Sequence, residues 1–282
     1  MRRHSGICKL TGKQGRFVRS HLLPKAVTRP SIHGNRLIEG GRGLAPRTRW
    51  DSWYDDELVT RAGEDILARY DSWAMRELTR LQLIWKSWGP ATSFVESIVA
   101  KEGMPSFGLR KVSCENASML RLFFLSLLWR AAATKRAEFQ DVQIASDNME
   151  RLRRMVREGD PNPLDFYPTT LLQIASRGPM HNLVPIEMDS MVDTGDGVMH
   201  RVHVFRFYFD GLISRMHPSM TVTKELEPFI VGGGSELVVQ MQLLEDSFQF
   251  GNLQRLVAES VLQWPEASAT ITRSTKGRGS GV

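Results

Sequence analysis

Two cysteines, Cys8 and Cys114, are too few for a disulfide framework in a chain of 282 residues, so both are expected to be reduced thiols. No run approaches the roughly 18 uninterrupted apolar residues that a membrane-spanning helix needs. The opening residues Met1 to Cys8 lack the apolar core of a secretory signal. Together these absences predict a cytoplasmic chain with no membrane role. There is no GxSxG, no HExxH, no glycine-rich dinucleotide fingerprint and no internal repeat, which argues against the common cofactor-dependent enzymes. Gly232 to Gly234 is not followed by Lys-Ser/Thr and reads as a turn rather than a phosphate loop.

Acidic residues are almost missing from the first fifty positions. Twelve Lys or Arg stand there against Glu39 alone, a net of +11, while the remaining 25 basic and 30 acidic residues give −5. A basic block interleaved with Phe17 and Trp50 is the electrostatic footprint of a phosphate-backbone contact surface. Lys9, Lys13, Arg16, Arg19, Lys25 and Arg29 are its candidate contacts, and DNA or RNA the expected partner. An acidic protein partner would be drawn by the same charge.

The pattern along the chain predicts an α+β fold in two units, 1–87 and 88–266, followed by a disordered Ser/Thr/Gly-rich tail over 267–282. Residues 7–10 and 16–18 read as a hairpin about a turn at 12–15, and Ser20 as the cap of a short helix through Ala26. Residues 28–57, rich in Gly and Pro, read as an irregular loop. Helical spacing of Ile66, Leu67, Tyr70, Trp73, Ala74, Leu78 and Leu81 predicts a helix from Arg61. A second, buried helix of about five turns is expected from Asn116, with Arg130 paired to a carboxylate, and a third over 146–158 capped by Ser146. Residues 88–113 read as short strands or loops. Antiparallel strands are expected at 202–209 and 237–243, adjacent across the Gly232 turn, then a final helix over 246–263. His200 and His203 would fall on opposite faces of their strand, which makes them poor partners for one metal ion.

One stretch carries more chemistry than the rest. Cys8-Lys-Leu-Thr11-Gly12 has the outline of a zinc knuckle with one cysteine replaced by threonine, and Thr60-Arg-Ala-Gly63-Glu64 keeps the same spacing with no sulfur. Tetrahedral zinc needs four N or S ligands, and these positions offer one, so no structural zinc is expected.

Those two stretches, with Ser20-His21-Leu-Leu-Pro24 and Leu122-Phe-Phe-Leu-Ser-Leu-Leu-Trp-Arg130, resemble a group of uncharacterised bacterial proteins similar to HNH-type treble-clef proteins. The resemblance covers about residues 7–170. It implies a treble-clef hairpin–helix unit in which His21 matches the general base of a metal-dependent nuclease, with Glu64 or Asp65 holding Mg²⁺ or Mn²⁺ through carboxylate oxygens. It leaves open an alternative, a non-catalytic interaction subunit of a bacterial defence or mobile-element system.

Overall fold

The computed structural model describes residues 4–28, 37–41, 44–49, 53–91, 93–94, 98, 106–178, 181–193, 198–263 and 265. Arg29 and the tail 267–282 lie outside the described residues. The architecture is α+β, centred on a mixed six-stranded sheet, and among the described residues no helix is long and apolar enough to cross a membrane.

The chain opens with a hairpin of β1 (Ser5–Ile7) and β2 (Gln14–Arg16), with Gly6 opposite Gly15. Its strands lie earlier than the spacing predicts because Cys8 to Lys13 closes on itself. Cys8 N–H donates to the Lys13 carbonyl at 2.9 Å, Gly12 N–H to the Cys8 carbonyl at 2.8 Å, and Gly12 takes φ 70° at the corner. The helix expected from Ser20 is instead a short strand, β3 (Ser20–His21), followed by one helical turn, α1 (Lys25–Thr28). Pro24 explains the shift: it drives the residue before it away from helical angles, so helix can begin only after it.

The expected loop at 28–57 contains strands. β4 (Leu37–Gly41) and β5 (Leu44–Arg49) pair antiparallel, and β6 (Tyr54–Asp55) pairs with β3. Gly40 and Gly41 lie inside β4, and Pro46 lies in β5, an edge strand where its missing N–H is tolerated.

Helix α2 (Arg61–Arg80) buries Leu67, Tyr70, Ala74, Glu77 and Leu78, a stripe at helical spacing. Helix α3 (Ala117–Ala133) starts where Asn116 accepts the Met119 N–H at 2.9 Å, and it is buried on every side from Leu120 to Ala131. Helix α4 (Ser146–Glu158) begins after Ala145, so Ser146 lies within the helix rather than capping it. It ends at Gly159, whose φ of 77° suits a left-handed stop.

The sheet orders β10 (Ile186–Asp193), β11 (Met199–Phe209), β12 (Leu212–Met216), β8 (Thr169–Ile174), β13 (Glu236–Gln242) and β7 (Gly108–Ser113). All neighbours are antiparallel except β8 and β13. β13 is therefore not the neighbour of β11, as the sequence suggested; it lies between β8 and β7. The partner of β11 is β12, through a two-residue turn at Asp210-Gly211 with φ of 50° and 83°, an Asp-Gly hairpin signal that decides the pairing. β9 (His181–Leu183) joins β4 in parallel, and α5 (Phe248–Gln263) follows the sheet.

One sheet face presents Phe205, Phe207, Phe209, Leu212 and Met216 to the main core, which runs from Cys8 and Leu10 through α2 and α3 to Val239. The opposite face presents Leu172, Ile174, Tyr208 and Ile213 to Trp85, Trp88, Leu183 and Leu244, a second, smaller core.

Two charged clamps join the layers. Arg130, 1% exposed, makes a two-pronged pair with Asp71 of α2 at 2.6 and 3.0 Å. Glu77, 3% exposed, accepts two bonds from Arg80 at 2.7 Å and the Glu115 N–H at 2.8 Å, tying the end of α2 to the start of α3. Replacing Arg130 with Met is expected to cost about 3–5 kcal/mol in urea unfolding, because Asp71 is left without its buried partner; a loss under about 1 kcal/mol would show that the clamp is dispensable. The Arg80 guanidinium holds the Glu77 carboxyl below its ordinary value. Its contribution is thus present above the unfolded pKa, about 4.3, and is lost as pH falls through the lower folded value. Melting of wild type and Glu77→Gln from pH 6 down to 2 should show a shallower acid decline in the variant, and parallel curves would exclude Glu77 as a source of acid sensitivity.

Candidate functional site

The four knuckle positions come together. Lys9 N–H donates to the Leu58 carbonyl at 3.0 Å, Val18 N–H to the Val59 carbonyl at 3.1 Å, and Phe17 bridges to Thr60, so the segment before α2 lies along the N-terminal hairpin. Gly63, in the first turn of α2, then faces Cys8 so closely that a Cβ on it would stand 2.7 Å from Sγ. Thr11 N–H points to the same sulfur at 3.5 Å. Burial pushes the Cys8 thiol up, but hydrogen bonds from Thr11 and Thr60 outweigh it and leave the group below its ordinary value.

One sulfur, two threonines and a glycine do not fit zinc. Cys8, Leu10, Val18, Leu22, Leu58 and Val59 are all buried there and pack as ordinary core.

His21 is held through its backbone. Its carbonyl accepts from Arg130 at 3.0 Å, and its ring meets Tyr54, its register partner on β6, edge-on at 6.4 Å. Arg19 lies 4.0 Å over the same tyrosine ring, and Arg136 lies 6.0 Å from it while donating to the Tyr54 carbonyl at 2.9 Å. The result is a cation–aromatic patch of Arg19, Tyr54, His21 and Arg136. Asp56 approaches Arg19 at 3.7 Å, but both side chains are more than half exposed, so the pair is worth little.

The other predicted residues divide. Lys13 and Arg16 are exposed on the hairpin, and Lys25 is half-buried at the start of α1. Lys9 is committed elsewhere: its ammonium donates to the Ala133 carbonyl at 2.6 Å, fastening the knuckle to the end of α3, and burial lowers its pKa. Glu64 is half-buried, with Oε2 enclosed and no hydrogen-bond partner. Asp65 is exposed and lies 3.9 Å from Arg61. Successive helical residues diverge by about 100°, so these two carboxylates do not converge. Among the described residues no group of three His, Cys, Asp or Glu side chains could hold a metal ion.

No family model, curated protein or solved structure matches this chain.

Tyr54 and Arg136 were missed as site residues. Tyr54 falls in the segment read as an irregular loop, and Arg136 follows α3 with no periodic signal; the β3–β6 ladder brings Tyr54 to His21, and Arg136 joins it by donating to the Tyr54 carbonyl. A cavity of about 460 Å³ elsewhere is lined by Gln140, Asp141, Gln143, Glu187, Met188, Asp189 and His203. His203 is held there between Glu187 at 2.5 Å and Asp189 at 3.6 Å, while Arg201 also pairs with Asp189. These charges satisfy one another.

The close approach of Gly63 to Cys8 can be tested by a double-mutant cycle. Gly63→Ala should destabilise by about 1–3 kcal/mol through overpacking. Combined with Cys8→Ala, the two changes should cost less than their sum, because removing the sulfur makes room for the new methyl. Strict additivity in chemical denaturation would mean that the contact is not felt.

Proposed function

We propose that the N-terminal unit is a zinc-less, treble-clef-like scaffold related to HNH proteins, and that it binds nucleic acid through the basic hairpin and the Arg19–Tyr54–His21 patch. The observation that carries this reading is Arg19 resting on Tyr54 beside His21, in a segment with a net charge of +11 over its first fifty residues. Guanidinium groups grip phosphates, and an aromatic ring beside them offers a face on which an unpaired base can stack. Lys13 and Arg16 extend the positive surface along the hairpin.

Cleavage is the second reading, favoured by the enclosed, unpartnered Oε2 of Glu64 in the helix after the hairpin. The carboxylates do not form a cage with a third ligand, so binding without hydrolysis remains the primary reading.

Fluorescence anisotropy with single- and double-stranded DNA and RNA across a salt series is the test. Arg19→Ala should weaken binding and lower the slope of log K against log salt by about 1, as for one lost phosphate contact. Tyr54→Ala should weaken single-strand binding by about 1–3 kcal/mol with little change in slope. Absence of binding to every nucleic acid at low salt would overturn the reading and favour a protein partner. Cleavage in Mg²⁺ or Mn²⁺ that disappears in His21→Ala would promote the second reading over the first.

A further inference from the structure

The sheet face turned away from α3 carries two arginines that neither core nor the N-terminal patch uses. Arg206 of β11 and Arg215 of β12 stand directly opposite each other in the antiparallel register. Like charges in that position repel unless something negative lies between or beside them. Arg206 is 4% exposed; its guanidinium donates to the side-chain oxygen of Gln249 at the start of α5 and lies 5.7 Å from the Phe248 ring. Arg215 is half-buried and reaches Gln240 of β13 at 3.4 Å, the outer limit for a hydrogen bond.

His217, just beyond β12, completes the cluster. It is 2% exposed, its Nε2 lies 3.1 Å from the Thr170 hydroxyl of β8, and its Nδ1 is buried with no hydrogen-bond partner. Thr170 is itself the register partner of Arg215, so strands β11, β12, β8 and β13 all contribute to one place.

Among the described residues neither arginine forms an ion pair with a carboxylate, and the polar neighbours Thr170, Gln240 and Gln249 are neutral. Burial, with the nearby Arg215 charge, lowers Arg206 to about 9 and His217 to about 4. At neutral pH the histidine is therefore uncharged, and the cluster holds two positive charges on two guanidinium forks. Buried charge without a counter-ion is costly, and folds that keep it normally supply one.

We propose that Arg206, Arg215, His217 and Thr170 form a binding site for the phosphate monoester of a small molecule, such as a mononucleotide. A phosphomonoester carries close to two negative charges at neutral pH and three acceptor oxygens, which matches two arginine forks plus two neutral polar groups. A carboxylate or a phosphodiester would cancel only one charge. Arg215, Thr170 and Gln240, each only partly buried, give the side of access, while the depth of Arg206 suits a terminal phosphate rather than the continuous backbone of a polymer. The site shares no residue with the proposed nucleic-acid patch, and either can fail without the other.

The test is calorimetry and thermal melting of the full chain with inorganic phosphate, AMP and cyclic AMP, with chloride matched for ionic strength. Phosphate and AMP should bind saturably and raise the melting temperature. Cyclic AMP, a singly charged diester, should bind roughly tenfold or more weakly. Arg215→Gln, at a partly buried position, should keep its circular dichroism spectrum and lose the phosphate-dependent rise. Without phosphate it should melt no lower than wild type, because it removes a repulsion; a purely structural arginine would instead lower that baseline. Binding of AMP unchanged in Arg215→Gln, equal binding of cyclic AMP, or a shift that chloride reproduces would each overturn the proposal. Arg206→Gln should behave like Arg215→Gln, and if it does not fold, Arg215→Gln alone decides.

Discussion

Arg130 satisfies all five of its N–H donors inside the protein, and three separate parts of the chain are positioned by the result. Two bonds go to Asp71 on α2, one to the backbone carbonyl of His21 on β3, and two to Ser126 on its own helix. A guanidinium has five donors in a rigid plane, so satisfying every one fixes the directions of its partners as well as their distances. α3 is buried on all sides and cannot slide, which makes Arg130 a fixed point from which α2 and the β3–β6 ladder are hung. His21, Tyr54 and Arg19 owe their relative placement to that ladder and hence to this one side chain.

Packing and backbone bonds bring Cys8, Thr11, Thr60 and Gly63 together. In a zinc knuckle, four ligands hold a loop and a helix start together through an ion. Here Cys8 still points at the place where positions 11, 60 and 63 meet, but Gly63 lets the α2 backbone close down directly onto the sulfur. Backbone bonds from Lys9 and Val18 and the bridge at Thr60 carry the alignment. Lys9 adds a longer reach to α3, which ties its ammonium to the Ala133 carbonyl.

The sequence made the long helices legible because their signals are local and repeated. The apolar stripe of α2, the all-round apolar α3 and the prospect of a carboxylate for Arg130 follow from spacing and from the cost of burying a lone charge. Strand order was not legible, since pairing depends on contacts far apart in sequence. The Asp210-Gly211 turn was the local sign that β11 pairs with β12, and the more conspicuous Gly232 to Gly234 run drew attention from it. The meeting of positions 8, 11, 60 and 63 could be read because the two halves each keep an x-x spacing. The patch around His21 could not, because Tyr54 and Arg136 reach it only through pairing across more than thirty residues and a loop.

Charge is used in two opposite ways along this chain. The first fifty residues hold many cations with little acid, and those of them described on the hairpin are mostly exposed, where water solvates them and a ligand gains mainly by releasing counter-ions. Beyond residue 50 acids outnumber bases, so carboxylates are available to pair buried arginines, and Asp71 does so for Arg130. Arg121 shows another arrangement: burial lowers it to about 10, and its Nε and one terminal nitrogen donate to the carbonyls of Pro161, Pro163 and Phe166. Arg206 and Arg215 each reach one side-chain amide oxygen, of Gln249 and Gln240, and among the described residues neither meets a carboxylate. They lie in a region rich in acids, on a sheet face where a second core excludes much of the water, and they still face each other across two paired strands. Arg130 has a carboxylate and Arg121 three carbonyl acceptors, whereas Arg206 and Arg215 share one sheet face with a single amide oxygen each, and a negative group from outside the chain would supply the charge that the described residues around them lack.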